Sequence, residues 1–152
     1  MHDDNLGFNS HNVRFYTDET ADNEKEIHVM ASIIEYFAPL SDEEKVNAPK
    51  LLIENRIHNF GKLKQGESDM HEFVLTNGGK TPLNIRSYKS NCKCAVAVIK
   101  DLDLKPGKST ILKVKFNSMG RRGTQLKSIT IFSNDPIDPT QIVSVRANII
   151  VE

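Results

Sequence analysis

At 152 residues the chain has length for one full-sized domain, or for a domain of about 100 residues with an appendage. No apolar run approaches the ~18 residues of a membrane-spanning helix, so no transmembrane segment is expected. The charges sum to zero, but residues 1–50 hold eleven acidic and four basic side chains, a net of −7, while residues 51–152 hold nine acidic and sixteen basic, a net of +7. An excess spread this thinly, without interleaved aromatics, gives no nucleic-acid interface. It predicts either two solvated surfaces or salt-sensitive docking of the acidic part on basic surface of its own chain or a neighbour.

Residues Met1 to Asn5 are polar and acidic, without the basic start and apolar centre of a signal peptide. Gly7 to Phe37 reads as a β-hairpin. Val13 and Phe15, then Ile27, Val29, Ala31 and Ile33, alternate with polar neighbours, the mark of strands with one wet face. Thr17 to Glu26 between them reads as a long acidic loop, and His28, opposite in parity to Ile27 and Val29, is expected in solvent. Residues 38–50 read as a linker. Pro39 and Pro49 bracket it, and Ser41-Asp42-Glu43-Glu44 predicts a capping box opening one or two helical turns.

From Leu51 a series of short strands follows. Leu51 to Glu54 and Ile57 to Phe60 read as edge segments, with Gly61 to Gly66 as a turn-rich crossing. Met70 to Thr76 is a strand, and Asn77-Gly78-Gly79 is expected to supply positive-φ residues for a tight reversal. Leu83 to Tyr88 and Cys94 to Ile99 are strands, and Pro106-Gly107 is a turn. Thr110 to Asn117 alternates, with Leu112, Val114 and Phe116 inward. Ser118 to Gly123 is a basic turn. Leu126 to Ser133 and Ile142 to Val151 close the series. About seven short strands with turn signals between them predict an all-β, immunoglobulin-like antiparallel β-sandwich over residues 51–152.

The closing strands repeat the opening hairpin. Shifted by 116 positions, Gly123 falls on Gly7, Ile129 on Val13, Ile131 on Phe15, Val143 on Ile27 and Val145 on Val29. The apolar alternation stays in register without a gap, which a slip of one residue would destroy. Residues 1–37 are therefore expected to be the C-terminal hairpin of a truncated preceding repeat. A full first copy would need roughly 65 more residues upstream, taking any export signal with it. Two strands alone are marginal in water, so the hairpin is expected to pack on the complete domain, or to engage a protein partner or a second copy.

Phe60-Gly61, Gly66-Glu67, Phe73-x-Leu75-x-Asn77-x-Gly79, Thr81-Pro82-Leu83-x-Ile85, Cys92-x-Cys94, Pro106-Gly107 and Ser133-Asn134-Asp135 occur in that order. This pattern resembles a bacterial domain-of-unknown-function family of immunoglobulin-like, Hydin-like sandwiches with a Cys-x-Cys motif. The resemblance implies a cell-envelope setting, periplasmic or at the cell surface, often lipid-anchored and in tandem. It carries over no reaction. The family usually places Gly between the cysteines and Thr after them, where this chain has Lys93 and Ala95.

Chemistry-bearing residues are few. Cys92 and Cys94, two apart on one strand face at roughly 6.6 Å, admit three readings. They are two small apolar side chains, a strained redox-active disulfide, or a soft-metal thiolate pair. Lys89 and Lys93 would lower a thiol pKa there. Arg121 and Arg122, with Lys93, are the candidate anion-binding residues. His58 and His71 are the histidines of the complete module, and His71 shares parity with Phe73 and Leu75. Asp101 and Asp103 read as solvating charges. With no phosphate loop, nucleophile elbow or zinc-protease motif, the reading is a non-catalytic structural or protein-binding module without cofactor. The alternative is a thiol redox or soft-metal module.

Overall fold

The chain runs β1 (Gly7–Tyr16), β2 (Glu24–Ile33), α1 (Asp42–Asn47), β3 (Leu51–Ile53), β4 (Ile57–Lys64), β5 (Ser68–Asn77), β6 (Leu83–Ser90), β7 (Ala95–Ile99), β8 (Asp103–Leu104), β9 (Ser109–Asn117), β10 (Gly123–Ser133) and β11 (Thr140–Ile150). The computed structural model describes residues 5–18 and 23–151. The first four residues, His2 among them, and residues 19–22 of the expected acidic loop lie outside the described residues. The chain divides into two units, one ending at Phe37 and the other starting at Ala38.

In the first unit β1 and β2 pair antiparallel from Gly7↔Ile33 to Tyr16↔Glu24. Thr17 N–H donates to Asn23 O at 2.8 Å where the strands end. In the second unit β10 and β11 pair from Gly123↔Ile149 to Phe132↔Thr140. A shift of 116 carries every pair of the first ribbon onto a pair of the second. Each ribbon opens on a glycine with positive φ, Gly7 at 85° and Gly123 at 64°. What differs is cover. Ile129, Ile131, Val143 and Val145 are 0–2% exposed, whereas Val13, Phe15, Ile27 and Val29 at the matching positions are 41–52% exposed.

The second unit is a sandwich of two sheets, ordered β4-β11-β10-β6-β8 and β3-β5-β9-β7. Its core follows from period-two alternation: Leu112, Val114 and Phe116 of β9 face Ile129 and Ile131 of β10 and Val143 and Val145 of β11 in one buried cluster. Three expectations need correction. The sandwich is not wholly antiparallel, because β11 and β4 run parallel; alternation within one strand carries no information about its neighbour's direction. The stretch read as an edge segment and a crossing is one strand through Gly61. There Phe60 and Gly61 together oppose Ala147, a bulge that Gly61 accommodates at φ 75°. Gly78 and Gly79 are not among the positive-φ glycines. Gly79 is needed for close approach, since a Cβ there would meet Ala48 O and lie 2.7 Å from Pro49 Cα; one on Gly78 would meet the exposed Leu52 side chain, which can move aside.

The capping box forms as expected. Ser41 Oγ accepts from Glu44 N–H at 3.3 Å, and Glu44 Oε2 accepts from Ser41 N–H at 2.8 Å. Buried polar side chains pin the loops to the sandwich. Asn77 Nδ2 donates to Thr81 O and Leu104 O, both at 2.9 Å, and its Oδ1 accepts from Gly79 N–H at 2.9 Å. Asp135 Oδ2 accepts from Leu51 N–H at 3.0 Å while its Oδ1 accepts from Ile137 and Asp138 N–H. Gln141 Nε2 donates to Leu51 O at 2.9 Å. Backbone groups that leave the ladders thus keep partners, as burial requires.

Candidate functional site

β6 ends at Ser90, and the chain reaches β7 through Asn91, Cys92, Lys93 and Cys94. The register Ala95↔Phe116 sets the start of β7 against the end of β9. The turn that follows β9 therefore lies against this corner. Asn117 N–H donates to Cys94 O at 2.8 Å, Asn91 N–H to Ser128 O at 3.0 Å, and Ala95 N–H to Cys92 O at 3.1 Å. Asn91 Oδ1 accepts from Ser128 N–H at 3.1 Å. The corner is thus fastened by backbone and amide hydrogen bonds at both ends.

On this frame Cys92 and Cys94 form a disulfide with Cα atoms 5.1 Å apart. The two sulfurs have different surroundings. Cys94 packs against the hydrophobic core. Cys92 Sγ accepts from Cys94 N–H at 3.0 Å and from Arg121 Nη2 at 3.6 Å. Arg121 Nε is buried and has no hydrogen-bond partner. The Arg121 carbonyl accepts from Gln65 Nε2 at 2.9 Å, and its N–H donates to Ser118 O at 3.0 Å, which hold the turn. Of the three cationic candidates the structure brings Arg121 to the cysteines and leaves Arg122 and Lys93 exposed. The Arg121–Cys92 contact spans 29 residues. A pairing of the two strands that flank the cysteines and the basic turn would have disclosed it; their common alternation was the available signal.

A bridge closing so short a loop removes little entropy from the unfolded chain: about 1.5 kcal/mol, against about 3 for a 15-residue loop. Reduction is therefore expected to lower the stability of the folded chain by no more than about 1.5 kcal/mol, read as the shift of a urea midpoint with and without a dithiol reductant. Among the described residues no group of three or more His, Cys, Asp or Glu is placed to hold a metal ion. Sulfurs bonded to each other offer no thiolate ligand.

A second feature lies between the sheets. His58 of β4 and His71 of β5 stack with ring centroids 3.6 Å apart and planes at 4°, flanked by Phe60 and Phe73 edge-on. Desolvation holds His71 below the ordinary histidine range, the neighbouring His58 adds to this, and Glu72 opposes it. The neutral ring is thus favoured in the folded state. Its contribution is present above the unfolded histidine range near 6.5 and is lost as pH falls through the lower folded value. Stability is expected to fall as pH drops below the ordinary histidine range near 6.5, and His71→Phe to flatten that fall. A variant whose urea midpoint drops with acid as steeply as the parent's would count against the stack as its cause. His28 is exposed, as expected, with Nδ1 2.7 Å from Asn12 Oδ1.

The family described as Protein of unknown function (DUF1573) matches residues 51–149. The chain belongs to this family. That description names no reaction. No curated protein matches the sequence. Among solved structures the chain is similar to a protein of unknown function from Porphyromonas gingivalis W83, with TM-score 0.73 and 22% identity over 94% of this chain. The chain spans 66% of that protein's length. It is also similar to the ASH/PapD-like domain 7 of human CEP192, with TM-score 0.52 and 13% identity over 80% of this chain and 98% of that domain. A third likeness is to the secreted serine protease VesC from Vibrio cholerae, with TM-score 0.50 and 14% identity over 70% of this chain and 24% of that one. At these identities the likeness is one of fold, an immunoglobulin-like or PapD-like β-sandwich. No helix among the described residues is long and apolar enough to cross a membrane.

Most of the residues that carry the DUF1573 resemblance have folding work in this chain. Asn77 and Asp135 pin loops, Gly79 admits the Ala48–Lys50 backbone, and Gly107 turns at φ 71°. Asn134 Oδ1 accepts from Asn84 N–H at 2.7 Å. Cys92 and Cys94 stand apart, since their bridge ties together two residues that the backbone already holds.

Proposed function

We infer that this chain is a non-catalytic module of a tandem-repeat bacterial cell-envelope protein, serving as a spacer and as a surface for another protein. The observation that carries this reading is the common register of β1–β2 and β10–β11 at an offset of 116, with the same glycine geometry at the start. A ribbon with that register and that apolar face is built to close a sandwich. In this reading β1–β2 closes a preceding module, and the complete module follows after the linker. The similar Porphyromonas gingivalis protein extends beyond the match by a third of its length, room for the rest of such a module.

Protein contact is supported at two places. The apolar side chains of β1 and β2 are exposed, which suits a covering sheet or a second copy. Strand β7 is the last in its sheet and carries exposed Val96 and Val98, which suits strand addition. An oxidising compartment, periplasm or cell surface, is supported by the Cys92–Cys94 disulfide. The test is the native gene product. Its intact mass should exceed that of residues 1–152, and in that longer protein the β1–β2 amides should exchange as slowly as those of β10–β11. A native product of this length, or hairpin amides that exchange freely in a longer one, would refute the tandem reading.

A further inference from the structure

Going beyond that reading, we propose that the Cys92–Cys94 disulfide is a thiol–disulfide exchange centre, in which Cys92 carries the mixed disulfide and Arg121 holds its thiolate. The argument rests on three observations. The bridge has no evident structural task, because Asn117, Asn91 and Ala95 secure the corner through hydrogen bonds that do not depend on it. Opening the bridge therefore leaves the two sulfurs side by side. The surroundings are asymmetric: Cys92 Sγ faces the Arg121 guanidinium and the Cys94 N–H, while Cys94 packs on the core. A guanidinium and an N–H donor favour a thiolate, and an apolar packing favours the neutral thiol. Arg121 also keeps a buried Nε–H without a partner, so its donor capacity is not consumed elsewhere at that atom.

The co-reactant is a dithiol, small or borne on a protein. Its thiolate attacks Cys92 Sγ, forming a new sulfur–sulfur bond. The Cys92–Cys94 bond breaks, and Cys94 leaves with the electron pair and takes up a proton. The second thiolate of the dithiol then attacks its own bridged sulfur and releases Cys92 as a thiolate beside Arg121. The dithiol is oxidised to its disulfide, and the Cys92–Cys94 disulfide is reduced to two thiols. Run in reverse, the Cys92 thiolate attacks an external disulfide and Cys94 resolves the product. Because a single residue, Lys93, separates the nucleophile from the resolving thiol, the second step is intramolecular.

The test compares single-cysteine forms of the whole chain. Cys94→Ser leaves Cys92 beside Arg121, and Cys92→Ser leaves Cys94 on the core. With an aromatic disulfide reagent at neutral pH, Cys92 is expected to form the mixed disulfide at least about tenfold faster than Cys94. In the Cys94→Ser background, Arg121→Gln is expected to slow alkylation of Cys92 by iodoacetamide about tenfold at neutral pH, with the thiolate absorbance titrating about one unit higher. Arg121→Lys should restore most of the rate. The wild-type bridge should open and re-form in a dithiothreitol redox buffer with an unchanged circular-dichroism spectrum. Equal rates at the two cysteines in folded variants would overturn the proposal, as would a Cys92 rate indifferent to Arg121→Gln, or unfolding on reduction. None of these outcomes bears on the length of the native product, so the tandem reading stands or falls separately.

Discussion

Asn77→Ala is expected to destabilise the complete module by about 3–5 kcal/mol, among the largest effects of any single side chain in the chain. Asn77 is fully buried. Its amide group joins three segments at the ends of the β3–β5 and β6–β8 ladders: Nδ2 serves Thr81 O and Leu104 O, and Oδ1 serves Gly79 N–H and, at 3.4 Å, Lys50 N–H. Truncation to Ala removes the Asn77 partner of the Leu104 carbonyl in a buried site, and of the Thr81 carbonyl and the Gly79 N–H in part-buried ones. Each unsatisfied buried group costs about 1–3 kcal/mol, and the Gly79 backbone, already pressed against Ala48–Lys50, has little room to relax. Asn77→Asp is expected to fare no better, since it removes both donors and buries a charge. For a domain near this size the loss corresponds to a fall in melting temperature of roughly 15 °C or more. The control is Asn148→Ala, on the exposed face of β11, with an expected change within about 0.5 kcal/mol. Urea titration of both variants decides it, and a midpoint for Asn77→Ala close to that of the control would dispose of the argument.

The contrast between these two asparagines shows what the sequence makes legible. Alternation placed Leu112, Val114 and Phe116, and it placed both halves of the 116-residue repeat, because side-chain direction in a strand has a fixed period of two. The capping box at Ser41 was legible for a similar reason, its partners lying within one helical turn. Asn77 read as a turn residue because its sequence neighbours are glycines. Its actual task depends on Leu104 and Lys50, each 27 residues away. Gly78 and Gly79 were misread by the same route: local statistics favour positive φ, while tertiary contact at Gly79 asks only for the absence of a Cβ. The parallel pairing of β4 with β11, the His58–His71 stack and the approach of Arg121 to Cys92 are also tertiary. None has a short-range signature. The candidate site was therefore legible as residues but not as a constellation.

The repeat also separates two quantities that usually vary together, hydrogen bonding and burial. Ribbons β1–β2 and β10–β11 have the same pairs, the same number of residues between their paired strands and the same opening glycine geometry. If ladder hydrogen bonds set local stability, the two would exchange their amide hydrogens alike. They are expected to differ by at least about a thousandfold. Behind Ile129, Ile131, Val143 and Val145 stands a second sheet, so opening β10–β11 exposes the core and requires unfolding of the module, on the order of 5 kcal/mol or more. Behind Val13, Phe15, Ile27 and Val29 the first unit has no second sheet of its own, and a two-stranded ribbon is marginal in water. Its amides should exchange within about tenfold of the free-chain rate at low micromolar protein concentration. Raising the concentration separates two outcomes: protection that grows with concentration identifies a second copy on the exposed face, and protection that stays absent is what the proposed tandem arrangement predicts. Strong protection of β1–β2 already present at low concentration would show that the ribbon is held by something other than a covering sheet, and the equivalence of the two ribbons would lose its meaning for function.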